Sequence, residues 1–102
     1  MATLYVAEFV AVGGTGNFTV AGALVAPVAE QTVAIGVGST QCTNAFNKNT
    51  YFVRIHVDAI CSIAFGTNPT ASATNMRLAA NQTEYFSVPL GGSYKVAVIT
   101  NS

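Results

Sequence analysis

Residues 51–58 read YFVRIHVD, and the alternation of this stretch decides the fold class. Successive side chains of a β-strand point to opposite faces of the sheet. One face of the stretch is apolar and carries Tyr51, Val53, Ile55 and Val57. The other is half polar and carries Phe52, Arg54, His56 and Asp58. This pattern is typical of a strand that covers a core with one face only, so we expect an antiparallel sheet.

The rest of the chain continues in short alternating or β-branched runs, without the 3.6-residue apolar repeat of helices. Further strands are predicted at residues 3–12, 18–25, 31–39, 40–46, 59–65, 75–80, 84–88 and 93–100. Turns are predicted at GGTGN (13–17), NKN (47–49) and GTNPT (66–70). The expected fold is all-β: one domain over residues 1–102, a jelly-roll-like sandwich or barrel of about seven or eight short antiparallel strands.

Charge is scarce, since four basic and four acidic residues make up 8% of the chain, against about 25% in a typical soluble domain. No basic field is available to attract phosphate groups, so nucleic acid is not an expected partner. The most membrane-like window, residues 18–38, contains Pro27, Glu30 and Gln31, so no membrane span is expected. The whole chain has 29 Thr, Asn, Ser and Gln residues, which provide a neutral polar coat.

Few residues offer chemistry. Cys42 and Cys61 are either two free buried thiols or one bridge. With a single histidine, neither a metal site nor a cofactor is expected. His56 could act as a base oriented by Asp58, but no serine stands in a G-x-S-x-G turn. The alternative is a polar row in which Arg54 pairs with Asp58, and we expect no catalytic residue and no enzyme activity.

Two segments are candidates for partner contact. In residues 3–12 both strand faces are mostly apolar, so each is expected to meet protein, and the predicted contacts are Leu4, Tyr5 and Val6. The second segment is the GTNPT loop, which is either a plain connection or a presented tip. Its predicted contacts are Thr67, Asn68, Pro69 and Thr70.

The C-terminal half, VRIHVDAICSIAFGTNPTASATNMRLAANQTEYFSVPLGGSYKVAVI (53–99), resembles small bacteriophage head proteins. The resemblance lies in a strand ending Ala-Phe-Gly, an Asn-Pro-Thr-Ala turn, an EYF-x-V strand and a closing KVAVI. It implies a virion structural protein that decorates and cements the outer capsid surface. The implied partners are the major capsid protein and copies of the chain itself, with a trimer as one arrangement.

Two alternatives to capsid decoration remain open at this stage. The aromatic residues and the neutral coat also suit a host-recognition or carbohydrate-binding module of a phage tail or fibre. A head completion or neck component would share the same resemblance. A neck component would occur in rings of low copy number at one vertex, so counting copies per particle separates it from a capsid-decoration protein.

Overall fold

A computed structural model describes residues 2–15, 18–23 and 26–101; for 12–15 and 18–23 it describes the backbone. This part of the chain contains ten strands and no helix. The strands are β1 Thr3–Phe9, β2 Val12–Thr15, β3 Phe18–Ala23, β4 Ala29–Ala34, β5 Thr40–Gln41, β6 Phe52–Val57, β7 Cys61–Gly66, β8 Met76–Leu78, β9 Thr83–Ser87 and β10 Lys95–Thr100.

Eight of these strands form two four-stranded antiparallel sheets. The first sheet has the order β4-β1-β6-β9, and the second has the order β5-β10-β7-β8. The two sheets pack as a sandwich and do not close into a barrel. The predicted all-β class is therefore confirmed, and the sandwich is the correct one of the two architectures considered.

The core lies between the sheets and follows the alternation seen in the sequence. On β6, Val53, Ile55 and Val57 are completely buried. They face side chains of the second sheet within one cluster that includes Ile63, Val96, Val98, Cys61 and Leu78. Burying one such aliphatic side chain contributes roughly 1.5–3 kcal/mol, so this layer dominates the stability of the fold.

The strand predicted at residues 40–46 is reduced to the two residues of β5. Beyond it the backbone N–H groups of Cys42 and Phe46 still donate to the carbonyls of Val96 and Tyr94, while the side chain of Gln31 holds residue 44 against β4. The Gln31 amide donates to the carbonyl of Asn44 at 2.9 Å and accepts from the Asn44 backbone N–H at 3.2 Å. Because one side chain satisfies both backbone groups, residue 44 needs no strand partner there.

Strands β2 and β3 pair with each other in a separate two-stranded sheet, here called the ribbon. The predicted turn at residues 13–17 is placed differently, because Gly13 and Gly14 belong to β2. Gly16 and Asn17 lie outside the described residues. The molecule measures 47 × 26 × 21 Å.

Both cysteines are buried and free, which answers the question left open by the sequence. Burial raises the pKa of the Cys42 thiol, and it raises that of Cys61 to about 11. The Cys42 Sγ lies 3.3 Å from the Asn44 carbonyl and 3.4 Å from the Val96 backbone nitrogen. Both thiols are therefore core groups.

No helix in the described ranges is long and apolar enough to cross a membrane.

Candidate functional site: the open face of the first sheet

The outer face of the second sheet is covered by the protein's own chain. Val96 and Val98 point into the core, so Ala97 between them points outward, yet it is completely buried. Ser62 on the neighbouring strand is buried in the same way. The cover is the connection from β7 to β8, residues 67–75, whose Ala71 is itself buried.

Three side chains from two other segments hold this cover in place. The Gln41 amide donates to Asn68 Oδ1 at 2.7 Å and to the Pro69 carbonyl at 3.0 Å. The backbone N–H of Ala71 donates to Ser39 Oγ at 2.8 Å. The Asn101 amide donates to the Ala73 carbonyl at 3.1 Å. The GTNPT loop is thus a fixed layer of the fold, with Pro69 buried and the side chains of residues 67, 68 and 70 exposed.

The outer face of the first sheet, here called the open face, exposes Tyr5 and Tyr85 to solvent, although Phe9 at the end of β1 is buried. The strand register arranges its side chains in rows across the sheet. One row places Tyr5 between Thr32 of β4 and His56 of β6. The next row runs Glu30, Ala7, Arg54 and Tyr85 across all four strands.

Ala7 is the smallest side chain of its row, so the longer neighbours stand around it as walls. The result is an open depression of about 690 Å³, here called the Ala7 depression. Its walls include the Tyr5 ring and the oppositely charged side chains of Glu30 and Arg54. Three of the eight formally charged residues of the chain, Glu30, Arg54 and Asp58, therefore line this depression together with the Tyr5 ring.

Aromatic rings continue along the open face beside the Ala7 depression. The rings of Phe9 and Phe52 stack with centroids 5.2 Å apart, and Phe52 meets Tyr85 at 6.2 Å. Tyr5 is 45% exposed and Tyr85 is 57% exposed, although both lie on regular strands. Tyrosine side chains have few rotatable bonds, so two exposed tyrosines on one sheet would lose little side-chain entropy if a partner covered them.

The side chains of His56 and Asp58 have separate hydrogen-bond partners. His56 Nδ1 lies 2.7 Å from the Thr83 hydroxyl across the sheet. Asp58 Oδ1 accepts a hydrogen bond from the Thr3 backbone N–H at 2.7 Å. Asp58 therefore fixes the start of β1 and does not orient His56. It also forms no ion pair with Arg54, contrary to the pairing considered from sequence.

The residues predicted to contact a partner do not come together. Leu4 and Val6 are buried in the core, so their side chains are not available to a partner in the folded chain. Tyr5 lies on the open face of the first sheet, while residues 67–70 belong to the cover of the second sheet. Sequence reasoning missed Glu30 and Tyr85, because only the strand register shows that they share a row with Ala7.

Within the described ranges, no group of three or more His, Cys, Asp or Glu side chains is placed to hold a metal ion. Every fully buried side-chain nitrogen and oxygen there has a hydrogen-bond partner, so none is left directed toward an absent ligand. The open face is therefore the candidate functional site, as a binding surface. Comparisons of the chain with protein-family models, with curated proteins and with solved structures find no match.

Proposed function

We propose that this chain is a virion structural protein of the capsid-decoration (cement) kind, which binds the major capsid protein on the outer capsid surface. The observation that carries the proposal is the asymmetry of the sandwich. One outer face is covered by residues 67–75, while the other presents Tyr5 and Tyr85 to solvent on a rigid sheet. The resemblance of residues 53–99 to small phage head proteins points to the same role.

The composition of the open face suits a protein partner. Tyrosine and arginine are enriched among the residues that carry most of the binding energy of interfaces. Here Tyr5, Arg54 and Tyr85 lie on adjacent strands of one sheet.

The size of the open face favours binding in an array. Four strands of about six residues cover roughly 20 × 20 Å, an area of about 400 Å². This area is about half of the roughly 800 Å² that each partner buries in a standard interface. One copy alone is then expected to bind weakly. Copies arranged on a capsid lattice act together, because each bound neighbour raises the effective concentration of the next contact.

The proposal assigns no enzymatic activity, cofactor, nucleic acid or membrane to the chain. Its supports are the placement of Asp58 on the Thr3 backbone and the bonding of His56 to Thr83. Asp58 therefore does not orient His56, so the base–carboxylate pair considered from the sequence does not form.

The test uses capsids purified from a phage deleted for this gene and measures how many copies of the added protein each particle takes up. Saturation at a fixed number of copies spread over the shell supports the proposal. We expect Tyr5→Ser/Tyr85→Ser to weaken binding at least tenfold. The matched control is Tyr51→Ser, since Tyr51 is 60% exposed but lies outside the open face. No uptake by the shells, or uptake only at one vertex as a neck component requires, contradicts decoration.

A second candidate function is a carbohydrate-binding module, which the Ala7 depression favours. A tyrosine ring beside a carboxylate and a guanidinium can stack on a sugar ring and hydrogen-bond its hydroxyls. Binding on a glycan array that Tyr5→Ala abolishes and Tyr51→Ala leaves intact would favour this function. An array without binding would remove it.

A further inference from the structure

The ribbon is the one described part of the fold that pairs with no third strand. Strands β2 and β3 bond each other, and no described strand of the sandwich packs extensively on either. An isolated two-stranded sheet is marginally stable in water, because it covers neither face and leaves both edges open. The ribbon therefore requires further contacts to be as stable as the sandwich.

The sequence of the ribbon gives it none of the features that protect open edges. Strands β2 (VGGT) and β3 (FTVAGA) contain no Lys, Arg, Asp, Glu or Pro. Between Glu8 and Glu30 the chain has no charged residue at all. Proteins usually place charges or prolines on open edge strands, because these prevent pairing with another chain. Because β2 and β3 lack such residues, the edges of the ribbon are suited to pairing with a strand of another chain.

A matching open edge lies on β4, the outermost strand of the first sheet. The backbone N–H of Ile35 donates to the Ala2 carbonyl, so residue 35 directs its backbone groups toward β1. In an antiparallel ladder this direction alternates along the strand. Residues 33, 31 and 29 therefore also bond to β1, whereas Glu30, Thr32 and Ala34 direct their N–H and C=O groups outward.

We propose that two copies of the chain exchange their ribbons. In this arrangement β3 of one copy pairs antiparallel with the open edge of β4 in the second copy, and β3 of the second copy pairs in the same way with β4 of the first. Strands β3 and β4 are both six residues long and are separated by the five residues 24–28. When two copies exchange ribbons reciprocally, a two-fold axis relates the two β3–β4 contacts. Such a contact is self-complementary, as a two-fold dimer requires.

Interface size favours a second copy over a one-way contact with another protein. Strands β3 and β4 have six residues each. A subunit that both donates its β3 and accepts the partner's brings twelve residues into direct strand pairing, against roughly 20–30 residues per side in a standard interface. A ribbon laid one way on a capsid protein would pair only the six residues of β3, so reciprocal exchange doubles the paired length.

The inference goes beyond the proposed function, because the isolated protein tests it. Sedimentation equilibrium of the full chain is expected to give a closed assembly, with twice the chain mass in the simplest case. The variant Thr32→Pro removes one outward N–H of β4 and no bond to β1, so the sandwich is retained while pairing weakens at least tenfold. Ser87→Pro is the matched control. The Val88 N–H, just after β9, donates to the Tyr51 carbonyl. Because this direction alternates along a strand, the backbone N–H of exposed Ser87 points away from β6, toward the outer edge of β9, which takes no part in the proposed exchange.

A second variant, in which Gly-Ser-Gly replaces residues 12–25, is expected to sediment as a monomer. A monomeric full chain at 100 µM overturns the inference. An assembly that survives both Thr32→Pro and removal of the ribbon overturns it as well. Equal weakening by Ser87→Pro and Thr32→Pro would show that β4 is not the receiving edge and would also overturn it. Capsid uptake is measured separately, so failure of decoration leaves these results unaffected.

Discussion

The buried carboxylate of Glu8 leads to the sharpest stability prediction. Glu8 lies on the core face of β1 with only 1% of its surface exposed. Its Oε1 accepts hydrogen bonds from the Thr50 hydroxyl and from the Asn47 backbone N–H, both at 2.7 Å. These two bonds tie residues 47–50 to the first sheet. Thr50, also 1% exposed, can be replaced by the isosteric Val to remove one of the bonds.

The expected cost of Thr50→Val follows from that geometry. A hydrogen bond to a charged group contributes about 1.5–3 kcal/mol, and the added methyl group returns at most about 0.8 kcal/mol. The free energy of unfolding is therefore expected to fall by about 1–2 kcal/mol. For a domain of this size that corresponds to a Tm decrease of about 4–16 °C.

Thermal unfolding followed by circular dichroism measures this decrease. The matched control is Thr32→Val, which makes the same chemical change on an exposed strand residue and is expected to stay within about 0.5 kcal/mol of the parent. If Thr50→Val melts within 2 °C of Thr32→Val, the Glu8 carboxylate does not hold residues 47–50, and the reasoning is refuted.

Three further predictions concern the thiols, the cover and a turn. Because burial raises the pKa of Cys42 and Cys61, both stay protonated near pH 8, and a thiol reagent should react with neither in the native protein and with both in denaturant. Fast native labelling would contradict the buried placement. Gln41→Ala removes two hydrogen bonds from the cover, so hydrogen exchange of residues 67–75 should rise at least fivefold, and unchanged exchange would show that Gln41 is not needed there. Gly91→Ala places a Cβ at a φ of 69° and should cost about 1–2 kcal/mol, whereas Gly36→Ala meets open space and should be near neutral; equal melting temperatures would contradict this.

The core was largely predictable, because the direction of a strand side chain is a local property. Alternation in residues 51–58 identified Val53, Ile55 and Val57 as core positions, and all three are completely buried. Tyr51 continues the same alternation but is 60% exposed, although its backbone still bonds Phe9 and Val88 just before β6. Local pattern identifies the face of a side chain but not where the opposite layer ends.

The open face was only partly predictable. Alternation separated Tyr5 from Leu4 and Val6, yet apolar residues on both faces of β1 left open which side would meet the second sheet. The sequence of residues 67–70 was compatible both with a presented tip and with a plain connection between strands. Its position over the second sheet depends on Gln41, a residue 27 positions before Asn68.

By itself, then, the sequence determined the strand content, the core face of β6 and a surface poor in charge, because these depend on residue type and on a period of two along the chain. Only the tertiary structure decided that Glu30, Ala7, Arg54 and Tyr85 form one row, that Glu8 bonds residues 47–50, and that one outer face is covered while the other is open. These features arise from pairing between strands distant in sequence. Their register is set by how two whole sheets fit together, which no local pattern encodes.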